Sequence, residues 1–133
     1  MQLVVDSSVL LALILDEPER EGFHLSLLAN EPVISIANLI ETYSVVRSRL
    51  GQAAIAEIDL YVETYEIEIA PVLAEDRAWL RQAMLDFGKG RRRAPAVLNF
   101  GDLFAYALAK RLALPLLFKG DDFARTDVQC VET

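Results

Sequence analysis

The apolar run Leu3-Val4-Val5 stops at Asp6 and passes at once into Ser7-Ser8-Val9-Leu10-Leu11. A short β-forming run that ends on an acid and continues into a helix-length apolar segment reads as a buried strand. Such a strand delivers its last side chain to the carboxyl edge of a parallel sheet, where open α/β sheets place their ligands. The other acids that stand out make most sense as partners of Asp6.

With 133 residues, 53% of them hydrophobic and 25% charged, the chain is expected to form one domain over 1–133 with a real core. Its longest apolar run, Val9 to Leu15, falls far short of the roughly 18 to 20 residues that span a bilayer, and no basic segment precedes it. Neither a membrane nor a targeting signal is expected. The single Cys130 excludes an internal disulfide, suits a reducing cytoplasm and reads as a lone buried thiol. The sole histidine, His24, has no second His or Cys to make a zinc set, which weakens zinc, Ser-His-Asp and Cys-His chemistry alike. It reads as a surface or half-buried helix residue.

A formal charge of -7 by itself argues against a nucleic-acid binder. The distribution is less discouraging, because bases gather at Arg47 and Arg49, at Lys89 with Arg91-Arg92-Arg93, at Lys110-Arg111 and at Lys119. Acidic patches that bind divalent cations add to a negative sum while their surroundings stay basic.

Ser7 or Ser8 is a candidate N-cap for a buried helix through Leu15. A second helix is expected over 19–29, with Phe23, Leu27 and Leu28 inward, then a strand over 33–36 and a helix over 37–50 stopped by Gly51. Further helices are read over 52–65 and 73–87, with a half-exposed strand over 66–69 between them. Residues 89–99 read as a loop, and Asn99 is a candidate cap for the helix carrying Phe100, Leu103, Phe104, Ala107, Leu108 and Leu112. Strands over 114–118 and 128–131 close the chain. Trp79 and Phe123 read as core. Strands alternating with helices point to an α/β fold, a central parallel sheet with helices on both faces.

Asp6, Glu41, Asp102 and the pair Asp121-Asp122 all fall just after a strand or at a helix start. Two carboxylates about 6 Å apart repel by roughly 3 kcal/mol at an effective dielectric of about 20, so such a cluster calls for protonation or cations. Mg²⁺, with Mn²⁺ as the alternative, suits an oxygen-only donor set, and a carboxylate-held ion activates water against a phosphodiester. Each acid taken alone is equally explained as a helix cap or a partner of the helix dipole. The remaining acids, Glu17 and Asp76 among them, read as solvated, Asp127 as a turn residue, and Arg91 to Arg93 as a solvated loop or an RNA contact.

At these residues the sequence resembles the PIN-domain ribonucleases, and within them the VapC toxins of toxin-antitoxin pairs. The resemblance covers the whole chain. It rests on Val4-Val5-Asp6-Ser7-Ser8-Val9-Leu10, Asp16-Glu17-Pro18-Glu19 and Leu39-Ile40-Glu41, most specifically on Asn99-Phe100-Gly101-Asp102-Leu103-Phe104-Ala105-Tyr106-Ala107-Leu108-Ala109, and on Leu116 to Phe123. It implies that Asp6 and Asp102 are the principal Mg²⁺ ligands, that Glu41 binds metal directly or through water and orients the nucleophile, and that Ser7 supports them with its hydroxyl. Many relatives read Thr-x-Asp-x-Asp-Phe near the end, which sets Gly120 at the first Asp, Asp122 at the second and Phe118 at the Thr. Asp121 or Asp122 is therefore the fourth acid. The resemblance further implies an endoribonuclease acting on RNA such as transfer or ribosomal RNA, a VapB-like antitoxin seated in a groove near the acids, and a homodimer.

Two other readings stay open. A catalytically silent PIN module that binds RNA or a protein would be favoured by a fourth-acid position that has lost its carboxylate, whereas Asp6, Glu41, Asp102 and two acids in the closing loop favour activity. A phosphotransfer domain with Asp6 as nucleophile would want an acid two residues later, where Ser8 stands.

Overall fold

A computed structural model describes residues 1–88 and 98–131. Its sheet has four strands in the order β3-β2-β1-β4, every neighbouring pair parallel. The strands are β1 (Gln2–Val5), β2 (Glu31–Ser35), β3 (Glu68–Ala70) and β4 (Leu116–Leu117). Between them run α1 (Ser7–Ile14), α2 (Arg20–Ala29), α3 (Ile36–Leu50), α4 (Ala53–Thr64), α5 (Arg77–Phe87) and α6 (Phe100–Leu112).

Strand periodicity divides the core in two. Leu3 and Val5 of β1, Ile34 of β2 and Leu117 of β4 pack with α1 to α4, whereas Val4, Val33 and Leu116 face α5 and α6. Since successive strand side chains point to opposite faces, an unbroken apolar run such as Leu3 to Val5 is what a strand covered on both sides requires. The expected architecture is thus the one observed.

Several local expectations give way. The N-cap of α1 is Asp6, whose Oδ2 accepts from the Ser8 amide at 3.0 Å, and Ser7 and Ser8 lie inside the helix. The acid that follows the strand is therefore also the cap of the helix. The segment 73–87 breaks into a 3₁₀ turn at Ala74–Asp76 followed by α5. Asp76 is not solvated but buried, paired with Arg111 at 2.6 Å. The strand expected over 114–118 shortens to two residues, and the one over 128–131 reduces to a single parallel bridge from Cys130 to Leu116. Cys130 is exposed, as are Leu28, Met84 and Phe100, the last at 77%. Trp79 lies at the surface beneath the Lys110 ammonium, 5.7 Å from its ring centre, while Phe123 is core. His24 is half-buried, 2.6 Å from the Tyr65 hydroxyl. Gly51 ends α3 with φ +95°, a conformation that favours glycine.

Arg91 to Arg93 and most of the loop read over 89–99 lie outside the described residues. No helix among the described residues is long and apolar enough to cross a membrane.

Candidate metal centre

The carboxyl end of β1 carries Asp6, 3% exposed, its backbone amide held by the Leu117 carbonyl at 3.0 Å. One carboxylate oxygen caps α1. The other, Oδ1, is buried with no hydrogen-bond partner among the described residues. Burial drives the Asp6 carboxyl up to about 6, against the hydrogen bonds from Ser8, and the Glu41 charge pushes the same way.

Ser35 ends β2 and caps α3, accepting from the Ala37 amide at 3.2 Å. This places Glu41 in the second turn of α3, facing α1. Ser7 Oγ donates to Glu41 Oε1 at 2.5 Å, and Asn38, one turn earlier and fully buried, donates to the same oxygen at 3.2 Å. The Asn38 amide also donates to the Gly101 carbonyl at 2.9 Å, joining α3 to α6.

Helix α6 opens with a reciprocal cap. Asn99 accepts from the Asp102 amide at 2.9 Å, and Asp102 accepts from the Asn99 amide at 3.0 Å. The cap fixes Asp102 where α6 approaches β1. Burial pushes its carboxyl up to about 7, followed by the Asp6 charge and, more weakly, those of Glu41 and Asp122, while the Asn99 amide works in the opposite direction. Gly101 gives Glu41 its room, since a Cβ there would run into the Glu41 carboxylate.

The closing loop reaches back to the start of the chain. The Lys119 amide donates to Ser8 Oγ at 3.0 Å, and its ammonium pairs with Glu17 at 2.6 Å and Glu19 at 3.5 Å. Gly120 has φ +100°, so the place where the family pattern puts its first Asp is a backbone position unfavourable to any side chain. Asp122 is among the charges that act on Asp102. Both acids are exposed.

Asp6, Glu41 and Asp102 thus come together at one sheet edge, with Ser7 hydrogen-bonded to Glu41, and the charge of Asp122 reaches Asp102 from the closing loop, in which Asp121 is its neighbour. Asn38 and Gly101 were not singled out in the sequence. The signal available was the three-residue interval from Asn38 to Glu41, which puts both on one helix face. Among the described residues no three acids, histidines or cysteines already sit close enough to cage an ion. The donor chemistry nevertheless suits a hard divalent cation: oxygen ligands only, two carboxyl groups raised by burial and further by neighbouring charges, and a buried Asp6 oxygen with no hydrogen-bond partner among the described residues.

A family model for the PIN domain matches residues 3–129. Ribonuclease VapC30 of Mycobacterium tuberculosis is 39% identical over 130 residues, which cover 97% of this chain and 98% of that protein. A ribonuclease VapC of Mycolicibacterium smegmatis is 41% identical over 131 residues, covering 97% and 99%. Among solved structures, Mycobacterium tuberculosis VapC20, a sarcin-ricin loop cleaving toxin, superposes with a TM-score of 0.77 at 15% identity, over 98% of this chain and 99% of that one. VapBC2 from Rickettsia felis, bound to a DNA fragment from its promoter, gives 0.69 at 18% identity, over 99% and 98%. Both structural likenesses speak to the fold.

Proposed function

Because the chain belongs to the PIN-domain family, among its VapC ribonucleases, we propose that it is a Mg²⁺-dependent endoribonuclease toxin whose centre is formed by Asp6, Glu41, Asp102 and Asp122. The observation that carries this reading is the buried, partnerless Oδ1 of Asp6 beside an Asp102 carboxyl raised to about 7 by burial and by its acidic neighbours.

Asp6 Oδ1 and the Asp102 carboxylate would hold the ion, with Asp122 completing the set from the loop. When bound, the ion neutralises charge at the scissile phosphodiester and makes water a better nucleophile. Glu41 has Oε1 committed to Ser7 and Asn38, which leaves Oε2 to accept a proton from the attacking water. Ser7 and Asn38 hold that carboxylate against the repulsion of Asp6 and Asp102. Mn²⁺ satisfies the same ligands.

RNA is the substrate class, transfer or ribosomal RNA being what the family resemblance implies; VapC20, which shares the fold, is a sarcin-ricin loop cleaving toxin. A VapB-like antitoxin is the expected partner. A cavity of about 660 Å³ lined by Ile40, Glu41, Phe100, Gly101 and Phe104 gives such a partner an apolar seat beside the carboxylates. A homodimer in the cytoplasm completes the proposal.

Purified wild type and Asp6→Asn, incubated with RNA with and without EDTA, test it. Metal-dependent cleavage by the wild type and none by the variant is expected. Equal cleavage by both proteins, or cleavage indifferent to chelator, overturns the reading.

A further inference from the structure

Asn38 is a fully buried polar residue whose amide nitrogen serves two acceptors, Glu41 Oε1 at 3.2 Å and the Gly101 carbonyl at 2.9 Å. A primary amide nitrogen carries two hydrogens, so both are used. Turning the amide over would set its oxygen against a carboxylate and a carbonyl with no hydrogen between them, which fixes its orientation chemically. The Asn38 Oδ1 is buried with no hydrogen-bond partner among the described residues. A buried acceptor without a donor works against stability, so this residue is accounted for by what its nitrogen holds.

What it holds is one particular oxygen. Glu41 Oε1 receives both Asn38 and Ser7, whereas Oε2 lies nearest the place a Cβ on Gly101 would occupy, against the helix turn that carries Asp102. Rotation about the last bond of the Glu41 side chain would turn the carboxylate plane and carry both oxygens out of line. Two donors on Oε1, one from α1 and one from α3, oppose that rotation and fix the plane.

Resting on the ribonuclease reading, we propose that Asn38 is a positioning residue acting through Glu41: anchored on the Gly101 carbonyl, its amide pins Oε1 so that Oε2 is presented to the site. Asn38 itself touches neither substrate nor ion.

The test is a double-mutant cycle on the full chain, with Asn38→Ala, Glu41→Gln and the pair, read by Mn²⁺ affinity from electron paramagnetic resonance and by steady-state RNA cleavage. Asn38→Ala is expected to lower kcat at least about tenfold with KM held within about twofold. It is expected to weaken Mn²⁺ binding by about three- to tenfold in the wild type and by less than about twofold in the Glu41→Gln background. Asn38→Asp keeps the volume but cannot donate to both acceptors, and is expected to lose kcat likewise, so a poorly folding Ala variant leaves the cycle intact. Ile58→Val, which trims the core on α4, is the control for lost stability and is expected to leave kcat within about twofold. Unchanged kcat in both Asn38 variants, or an equal Mn²⁺ penalty in the Glu41→Gln background, overturns the proposal. A wild type that cleaves no RNA overturns the ribonuclease reading instead, and the Mn²⁺ cycle then still decides whether Asn38 acts through Glu41.

Discussion

Ser7 Oγ donates a 2.5 Å hydrogen bond to Glu41 Oε1 across an interval of 34 residues. It binds the first turn after β1 to the second turn after β2, so two chain segments that each end a strand share one polar contact at the sheet edge. A hydrogen bond to a charged acceptor contributes about 1.5–3 kcal/mol.

Ser7→Ala removes that contact and leaves the Asp6 cap in place. Steady-state cleavage is expected to show kcat down about tenfold, equivalent to about 1.4 kcal/mol, with KM unchanged. A change confined to KM would assign Ser7 to substrate binding.

Asp6 carries a stability cost that depends on pH. Its folded value of about 6 exceeds the ordinary 3.8, so the folded state keeps its proton longer than the unfolded chain does. The benefit of that retained proton is complete below about pH 4 and is lost as pH rises through about 6, amounting to about 3 kcal/mol at neutrality. Asn caps a helix as well as Asp does and carries no charge. In EDTA, urea unfolding is therefore expected to show Asp6→Asn more stable than the wild type by up to about 3 kcal/mol near pH 7, with the gap closing near pH 4. A gap constant with pH would contradict a raised Asp6.

Gly101→Ala sets helix stability against activity. Ala is the better helix former, with a gain in this first turn smaller than the about 1 kcal/mol of a helix interior, yet its methyl group meets the Glu41 carboxylate. Circular dichroism is expected to show a folded protein while kcat falls about a hundredfold, as when a positioned group is displaced by about 1 Å. Full activity would mean that Glu41 moves aside without consequence.

Asp122 and Asp121 are expected to differ. Asp122 is among the charges that raise Asp102 and stands where the family pattern sets its second Asp, so Asp122→Asn should weaken Mn²⁺ binding about tenfold and Asp121→Asn by less than about threefold. Titration calorimetry distinguishes them, and the reverse order would shift the fourth ligand by one residue.

Much of this was legible from residue order, for physical reasons. Leu3 to Val5 could be read as a doubly covered strand because burial on both faces abolishes alternation, and the acids could be grouped because each follows a strand or lies in the first two turns of a helix. Asn99 was recognisable as a cap from local spacing alone. Contacts between distant segments were not legible. Asp76 reads as a solvated acid until Arg111 is folded against it, and Asn38 reads as an ordinary helix residue until Gly101 arrives from α6. Phe100 fits a helix stripe by interval, but it is the first residue after the cap and points out of the core. The place of Asp121 or Asp122 depended on the turn at Gly120, whose φ of +100° cannot be read from the letters.

The most direct measurement is anomalous diffraction from crystals grown with Mn²⁺. The account predicts a peak about 2.0–2.6 Å from Asp6 Oδ1 and from an Asp102 carboxylate oxygen, within reach of Asp122 directly or through water. No peak at that edge, at a Mn²⁺ concentration that supports cleavage, or a peak elsewhere in the molecule, would contradict it.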